Sequence, residues 1–378
     1  MELATALVYG IEPAVAPLDV GRPSAHPRAV LESILVQALR RPPCVIGFSG
    51  GRDSSALLAL AAHLARREGL EAPVAATNAF PGDSQAAESD WQELLVRHAG
   101  VHAWERLTFT DELDVIGPVA TPLLERFGPT FPFNGHFGMP TMALATGGTY
   151  LTGVGGDELF EPNELTRLAI VLDGRNPPGR RDLPTILRRL GPERLRVRRF
   201  RRQLPAEPWL RPHVQWDLVG DLARTLSRQR LWYDDQIRHD IWRDRSRSAL
   251  VATLTAFAAT ADVALVNPFQ DAAFLRAVAA FQGRAGWWSR AAAMRELFGD
   301  VLPVEVVRRT TKATFDTIFF HAHSRDFVRD WDGSGVDDAL VDVRRLRNAW
   351  ERPAVDARSL SLLQAAWCHR RGCQPSAA

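Results

Sequence analysis

Short apolar runs alternate with longer stretches of helical spacing over the first 160 residues of the chain. Residues 45–48 are apolar and stop at Ser49 and Gly50, the mark of a buried strand. Residues 54–67 follow with apolar positions at helical spacing. A second apolar run at 74–78 precedes an amphipathic stretch at 85–98, and 104–109 reads as a third strand. Residues 111–126 and 140–145 read as helical, and 150–154 as a further buried strand. This alternation predicts an α/β fold, a parallel sheet with helices on both faces. After Phe160 strand signals fade, and helical spacing dominates at 216–228, 231–243, 248–259, 272–281, 289–298 and 359–369. The expected organisation is a lead segment at 1–26, an α/β part at 27–170 and a mainly helical part at 171–378.

Composition narrows the class. The 378 residues are 46% hydrophobic and 24% charged, enough for a sizeable core. No apolar run reaches the ~18 residues of a membrane span. Glu2, Glu12 and Pro13 break the apolar N-terminus, so neither export nor a membrane partner is expected, and the expected location is the cytoplasm. Cys44, Cys368 and Cys373 are too few for a disulfide framework, and Cys368, His369 and Cys373 match no zinc spacing. The net charge of +2 carries little information about partners.

The chemistry is concentrated where strands run into glycine. Ser49-Gly50-Gly51-Arg52-Asp53-Ser54 joins the first strand to a helix. Free backbone N–H groups and the positive end of the helix dipole converge at such a junction and suit an anion. Gly50 and Gly51 let the backbone approach a phosphate, and Ser49 and Ser54 add hydroxyl donors. Asp53 would repel a phosphate and makes sense instead as a ligand for Mg2+ bridging the phosphates. The plain alternative is a strand–turn–helix with Ser or Asp as the helix cap. The full string resembles the loop of enzymes that split ATP between its α and β phosphates (the PP-loop), and no Gly-Lys-Ser/Thr ends it as in the Walker type.

A second such junction is Leu151-Thr152-Gly153-Val154-Gly155-Gly156-Asp157-Glu158-Leu159-Phe160. In a parallel sheet both loops lie at carboxyl ends of strands, where ligands of α/β folds bind. Asp157 is then expected to face Asp53 and complete the Mg2+ site, beside Gly155 and Gly156; the alternative again is a turn with Asp157 as cap.

The two loops together resemble the synthetase domain of the asparagine synthetase family, which includes β-lactam synthetase and lasso-peptide macrocyclases. The likeness runs over about 27–325 and is motif-level. It extends to Val266-Asn267-Pro268-Phe269-Gln270-Asp271, similar to the family's Pro-Phe-x-Asp turn, and to Arg308-Arg309-Thr310-Thr311-Lys312-Ala313-Thr314-Phe315, similar to the segment with an essential lysine. The resemblance implies an adenine nucleotide α-hydrolase-like fold. It implies ATP and Mg2+ as cofactors, and a ligase that adenylates a carboxylate and joins it to an amine. Lasso-type members are nearest in wording, which points to macrolactam or tailored-amide formation, to small-molecule or peptide substrates and to a leader-peptide-binding partner. The alternatives are a PP-loop enzyme that modifies tRNA and a non-catalytic nucleotide-binding homologue.

Lys312 stands out independently, because the other basic residues among the 46 lysines and arginines are all arginine. A single retained lysine fits a place that needs a compact point charge, such as charge developing on an acyl-adenylate and pyrophosphate.

Two departures from the family matter. Its glutamine-hydrolysing members place a cysteine nucleophile after the initiator Met, whereas residue 2 here is Glu2. The amine is therefore expected to be free ammonia, an amine substrate, or an amine on the substrate itself. Val154 occupies the place of a proton-transferring Glu or Tyr, which leaves Glu158, His136 and Asp271 as candidate bases. Glu88 and Asp90 open a predicted helix, where acids are common for dipole reasons. Between 175 and 202 lies a dense arginine run, read as a solvated insertion, with acidic-peptide docking and nucleic-acid binding as alternatives. Phe200 is the only aromatic residue in the run, so no nucleic-acid partner is expected.

Overall fold

The computed structural model describes residues 16–19, 25–81, 88–175, 177, 179–180, 182–311 and 315–373. Its strands are β1 (Cys44–Gly47), β2 (Val74–Ala79), β3 (Trp104–Thr108), β4 (Thr149–Leu151) and β5 (Ala264–Val266). They form one sheet in the order β3-β2-β1-β4-β5, with every pairing parallel.

The central strand has both faces covered. Cys44, Ile46, Ala75 and Leu151 enter one core with α1 (Pro27–Leu39), α2 (Arg52–Glu68) and α3 (Ser89–Ala99). Val45, Ala76 and Tyr150 point the other way, to a smaller core with Met142 and Ala258. Successive side chains of a strand take opposite faces, so a short apolar run without alternation is what a doubly covered strand requires. The expected α/β sheet with helices on both faces is thus present.

Two expectations change. First, the sheet has a fifth strand, drawn from residues 264–266 after the long helical stretch. Second, the helix expected over 111–126 is only Thr121–Phe127. Residues 111–120 turn because the fully buried Asp114 carboxylate collects the amides of Ile116, His321 and Ser324, at 3.0, 2.7 and 3.0 Å. A continuous helix would commit its amides to its own carbonyls.

Register sets up the site. Ile46 lies opposite Ala75 on one side and Leu151 on the other. The loops leaving β1 and β4 therefore start side by side at the same edge of the sheet. A separate core of Trp331, Trp350 and Trp367 lies in the C-terminal region and packs on Leu124, Trp209 and Leu218. The arginine-rich stretch forms two helices, Leu183–Leu190 and Glu193–Gln203, on the surface beside Pro212–Ser227. Among the described residues no helix is long and apolar enough to cross a membrane.

Candidate active site

A cavity of about 480 Å³ opens at the carboxyl ends of β1 and β4, lined by both glycine loops. In the first loop Gly50 has φ 86°, a left-handed value that glycine adopts without strain. The Ser49 and Ser54 hydroxyls are 3.2 Å apart, and Ser54 Oγ donates to the Gly51 carbonyl at 3.1 Å. Gln92 holds the Ser49 carbonyl at 3.0 Å. α2 starts after Gly51 with no side chain capping it, so Ser49 and Asp53 are not spent as caps and the amide end of the helix faces the cavity.

The second loop is pinned to β5: the Thr152 amide donates to the Val266 carbonyl at 3.1 Å and its hydroxyl donates to Asn267 at 2.5 Å. Gly155 has φ 96° and opens the short helix Gly156–Phe160, again without a side-chain cap. A Cβ on Gly156 would sit 2.3 Å from the Asp53 carboxyl carbon, so only glycine lets the two loops meet here. Asp53 and Asp157 are thereby brought together, and Ser49, Gly51 and Ser54 line the cavity with them, whereas Gly50, Gly155 and Gly156 shape the loops without lining it.

Sequence reasoning missed the residue between the two acids. Arg290, the first residue of the helix Arg290–Phe298, is 8% exposed. Its Nη2 lies 2.5 Å from Asp53 Oδ2, its Nη1 donates to Asp157 Oδ1, and Glu161 lies 3.4 Å away. Burial pushes the Asp53 carboxyl up to about 6; Arg290 pulls it down and Asp157 pushes it further up. Asp53 Oδ1 is buried and has no hydrogen-bond partner among the described residues. Two aspartates with a spare oxygen, already gathered around a cation, are a hard donor set that fits Mg2+ completed by phosphate oxygens. The signal that could have found Arg290 was its place behind the helix-capping Ser289, but one arginine in so arginine-rich a chain draws no notice.

A second arginine, from the segment that leads to Lys312, also lines the cavity. Arg309 is 5% exposed, pairs with Glu88, donates to the Gly50 carbonyl at 2.8 Å and lies over the Trp91 ring at 4.8 Å. Glu88 is therefore buried in the wall of the cavity and does more than favour a helix dipole, whereas Asp90 is exposed. Lys312 lies outside the described residues; Thr311 before it and Phe315 after it both line the cavity.

None of the three candidate bases lines the cavity. His136 is 2% exposed and bonded through Nε2 to the Leu113 carbonyl at 2.9 Å. Asp271 caps the helix Ala272–Gln282, accepting from the Ala273 amide at 2.7 Å. Glu158 is exposed outside the cavity. Val154, Leu250 and Leu254 all line the cavity and give it apolar wall.

No curated protein matches this chain. The family model of asparagine synthase does, over residues 28–369, which includes both loops, Arg290 and the Lys312 segment. That family comprises ATP-dependent amide ligases of the PP-loop type, which use ATP and usually Mg2+. The match covers most of the chain and both glycine loops, and the chain belongs to the asparagine synthase family.

Proposed function

We propose that this chain adenylates a substrate carboxylate and joins the activated acyl group to an amine, releasing AMP and pyrophosphate. The observation that carries this reading is the convergence of Asp53 and Asp157 on one cation beside the uncapped start of α2. The amides and serine hydroxyls of residues 49–54 hold the ATP phosphates. Asp53 and Asp157 would hold Mg2+, which neutralises charge on those phosphates. A carboxylate oxygen of the substrate attacks the α-phosphorus and the bond to the bridging oxygen breaks, so pyrophosphate leaves. Arg290, poised at the same acids, offers a second positive charge to the departing pyrophosphate, and we assign Lys312 the charge that develops on the adenylate.

The amine nitrogen then attacks the acyl carbon, AMP leaves, and the proton on nitrogen passes to the AMP phosphate or solvent. The apolar wall of Val154, Leu250 and Leu254 supports a site that keeps water from the adenylate and takes an acyl substrate flanked by apolar groups. Holding amine and adenylate together supplies much of the rate. A macrolactam or tailored amide of a natural product, made with a leader-peptide-binding partner, is the product class we favour, on the motif wording that is nearest to lasso-type members.

The test is exchange of labelled pyrophosphate into ATP across a panel of amino acids and peptides. Substrate-dependent exchange that Asp53→Ala abolishes is expected, with AMP as the nucleotide product. Lys312→Arg is expected to bind ATP and form no amide. Accumulation of ADP, or full turnover by the arginine variant, would falsify the scheme.

A further inference from the structure

The reaction makes no use of the helices Leu183–Leu190 and Glu193–Gln203, which lie outside the cavity. Residues 175–202 hold eleven arginines against two acids, Asp182 and Glu193, in a chain of net charge +2. Both acids are already taken, Asp182 by Arg167 at 2.5 Å and Glu193 by Arg228 at 2.9 Å. Arg194, Arg198 and Arg202 are exposed and have no ion-pair partner among the described residues. Their spacing of four stacks three like charges along one face, which weakens an isolated helix.

The same helix buries none of its residues. It packs on Pro212–Ser227: Arg196 donates to the Ser227 carbonyl at 3.3 Å, and the Arg201 guanidinium lies 4.3 Å from the centre of the Trp216 ring and against Gly220. Two residues earlier in the chain, Leu183–Leu190 presents Leu183 and Leu187 to solvent at 55% and 68% exposure, and Leu195 follows at 61%. Like charges without counter-ions, and aliphatic side chains exposed beside them, both favour being covered.

We propose that these two helices form a docking surface for an acidic, partly apolar polypeptide. Its carboxylates pair with Arg194, Arg198 and Arg202, and its aliphatic side chains cover Leu183, Leu187 and Leu195. Nucleic acid fits less well: aromatic residues are sparse here, with Phe200 half-buried and the exposed Trp216 carrying Arg201 on its ring. The surface also has a physical link to the catalytic loop. Asp182, at the start of the leucine helix, holds Arg167 of the helix Glu164–Leu172, which follows Phe160 closely in the chain.

Fluorescence anisotropy with the full chain tests this, using three labelled probes: a glutamate–leucine amphipathic peptide, a polyglutamate peptide and an oligouridylate. The glutamate–leucine peptide is expected to bind best. Combining Arg194→Glu, Arg198→Glu and Arg202→Glu is expected to weaken it at least about tenfold. Leu183→Ser with Leu187→Ser is expected to weaken it several-fold and leave polyglutamate binding alone. Both variants should keep the wild-type circular dichroism and pyrophosphate exchange. Failure of the peptide to bind, or equal binding by the charge-reversed chain, overturns the proposal. So does tight oligouridylate binding that follows the arginines and ignores the leucines, which would assign the surface to nucleic acid.

Discussion

The two glycine loops are built alike and anchored differently. The first feeds α2, a helix of 17 residues that buries eleven of them, and is held from outside by Gln92 and Arg309. The second feeds a helix of 5 residues and is held by Thr152 on the edge strand β5. Their acids differ accordingly: the Asp53 side chain is 13% exposed and that of Asp157 is 49% exposed. One carboxylate is set by the core, while the other stands half exposed on a short helix whose far end, Leu159 and Phe160, is buried. The site thus joins a fixed half to an adjustable half, with Arg290 spanning them.

Removing that span should have the largest effect. Arg290→Met leaves Asp53 buried opposite Asp157 with no cation between them, and is expected to cost about 3 kcal/mol in urea unfolding at neutral pH. Pyrophosphate exchange should fall by at least about a hundredfold. Glu161→Gln removes only the half-exposed third acid, and should change stability by less than about 0.5 kcal/mol. Equal effects from the two variants would mean that Arg290 is not the link.

Next in size is the contact between the loops. Gly156→Ala puts a methyl group into the Asp53 carboxylate and should push the adjustable half away. Exchange is expected to drop about a hundredfold, since small displacements of reacting groups cost that much. Stability should fall by about 1–3 kcal/mol, because the short helix that moves also seats Leu159 and Phe160 in the core. Global unfolding of this variant would show that the second loop is as rigid as the first.

The smallest effect separates the acids by pH. The Asp53 carboxyl is raised from 3.8 to about 6 in the folded chain, chiefly by burial. The stability it contributes is fully present below 3.8 and is lost as pH rises through about 6, where the folded state must carry a buried charge. Asp53→Asn should therefore flatten the stability curve across that window and be no less stable than wild type at pH 7. At the same time, wild-type kcat/KM should fall as pH drops through about 6, because protonated Asp53 is a poor metal ligand. Asp157→Asn should lose activity and cost under about 1 kcal/mol. An unchanged stability curve in Asp53→Asn would show that its carboxylate is not strained by burial.

How much of this was legible follows from the kind of signal each part leaves. β1, β2 and β4 were readable because strands covered on both faces cannot alternate, and β3 because of its length. β5 was not expected: three half-buried residues ahead of the Asn267-Pro268 turn signal leave too little pattern. The two loops were readable because glycine and acid at a strand end serve few other purposes. Arg290 and Arg309 were not, since their importance comes from partners 237 and 221 positions away. The helix expected over 111–126 failed for a similar reason: Asp114 draws amides from residues 321 and 324, which no local window contains. His136 attracted interest as a titratable loop residue, and its ring instead points inward to the Leu113 carbonyl.

The late position of β5 and Arg290 in the chain bears on how the protein comes into being. Chains are made from the N-terminus, and early segments begin to organise before later ones exist. A growing chain displays both glycine loops long before residues 264–290 leave the ribosome. Until then the second loop has no edge strand to pin Thr152, and two acids confront each other with no counter-ion. Closing contacts across such long stretches is slow, because loop entropy opposes them. Commitment of ATP thus waits for the finished polypeptide, and fragments released early are idle rather than wasteful.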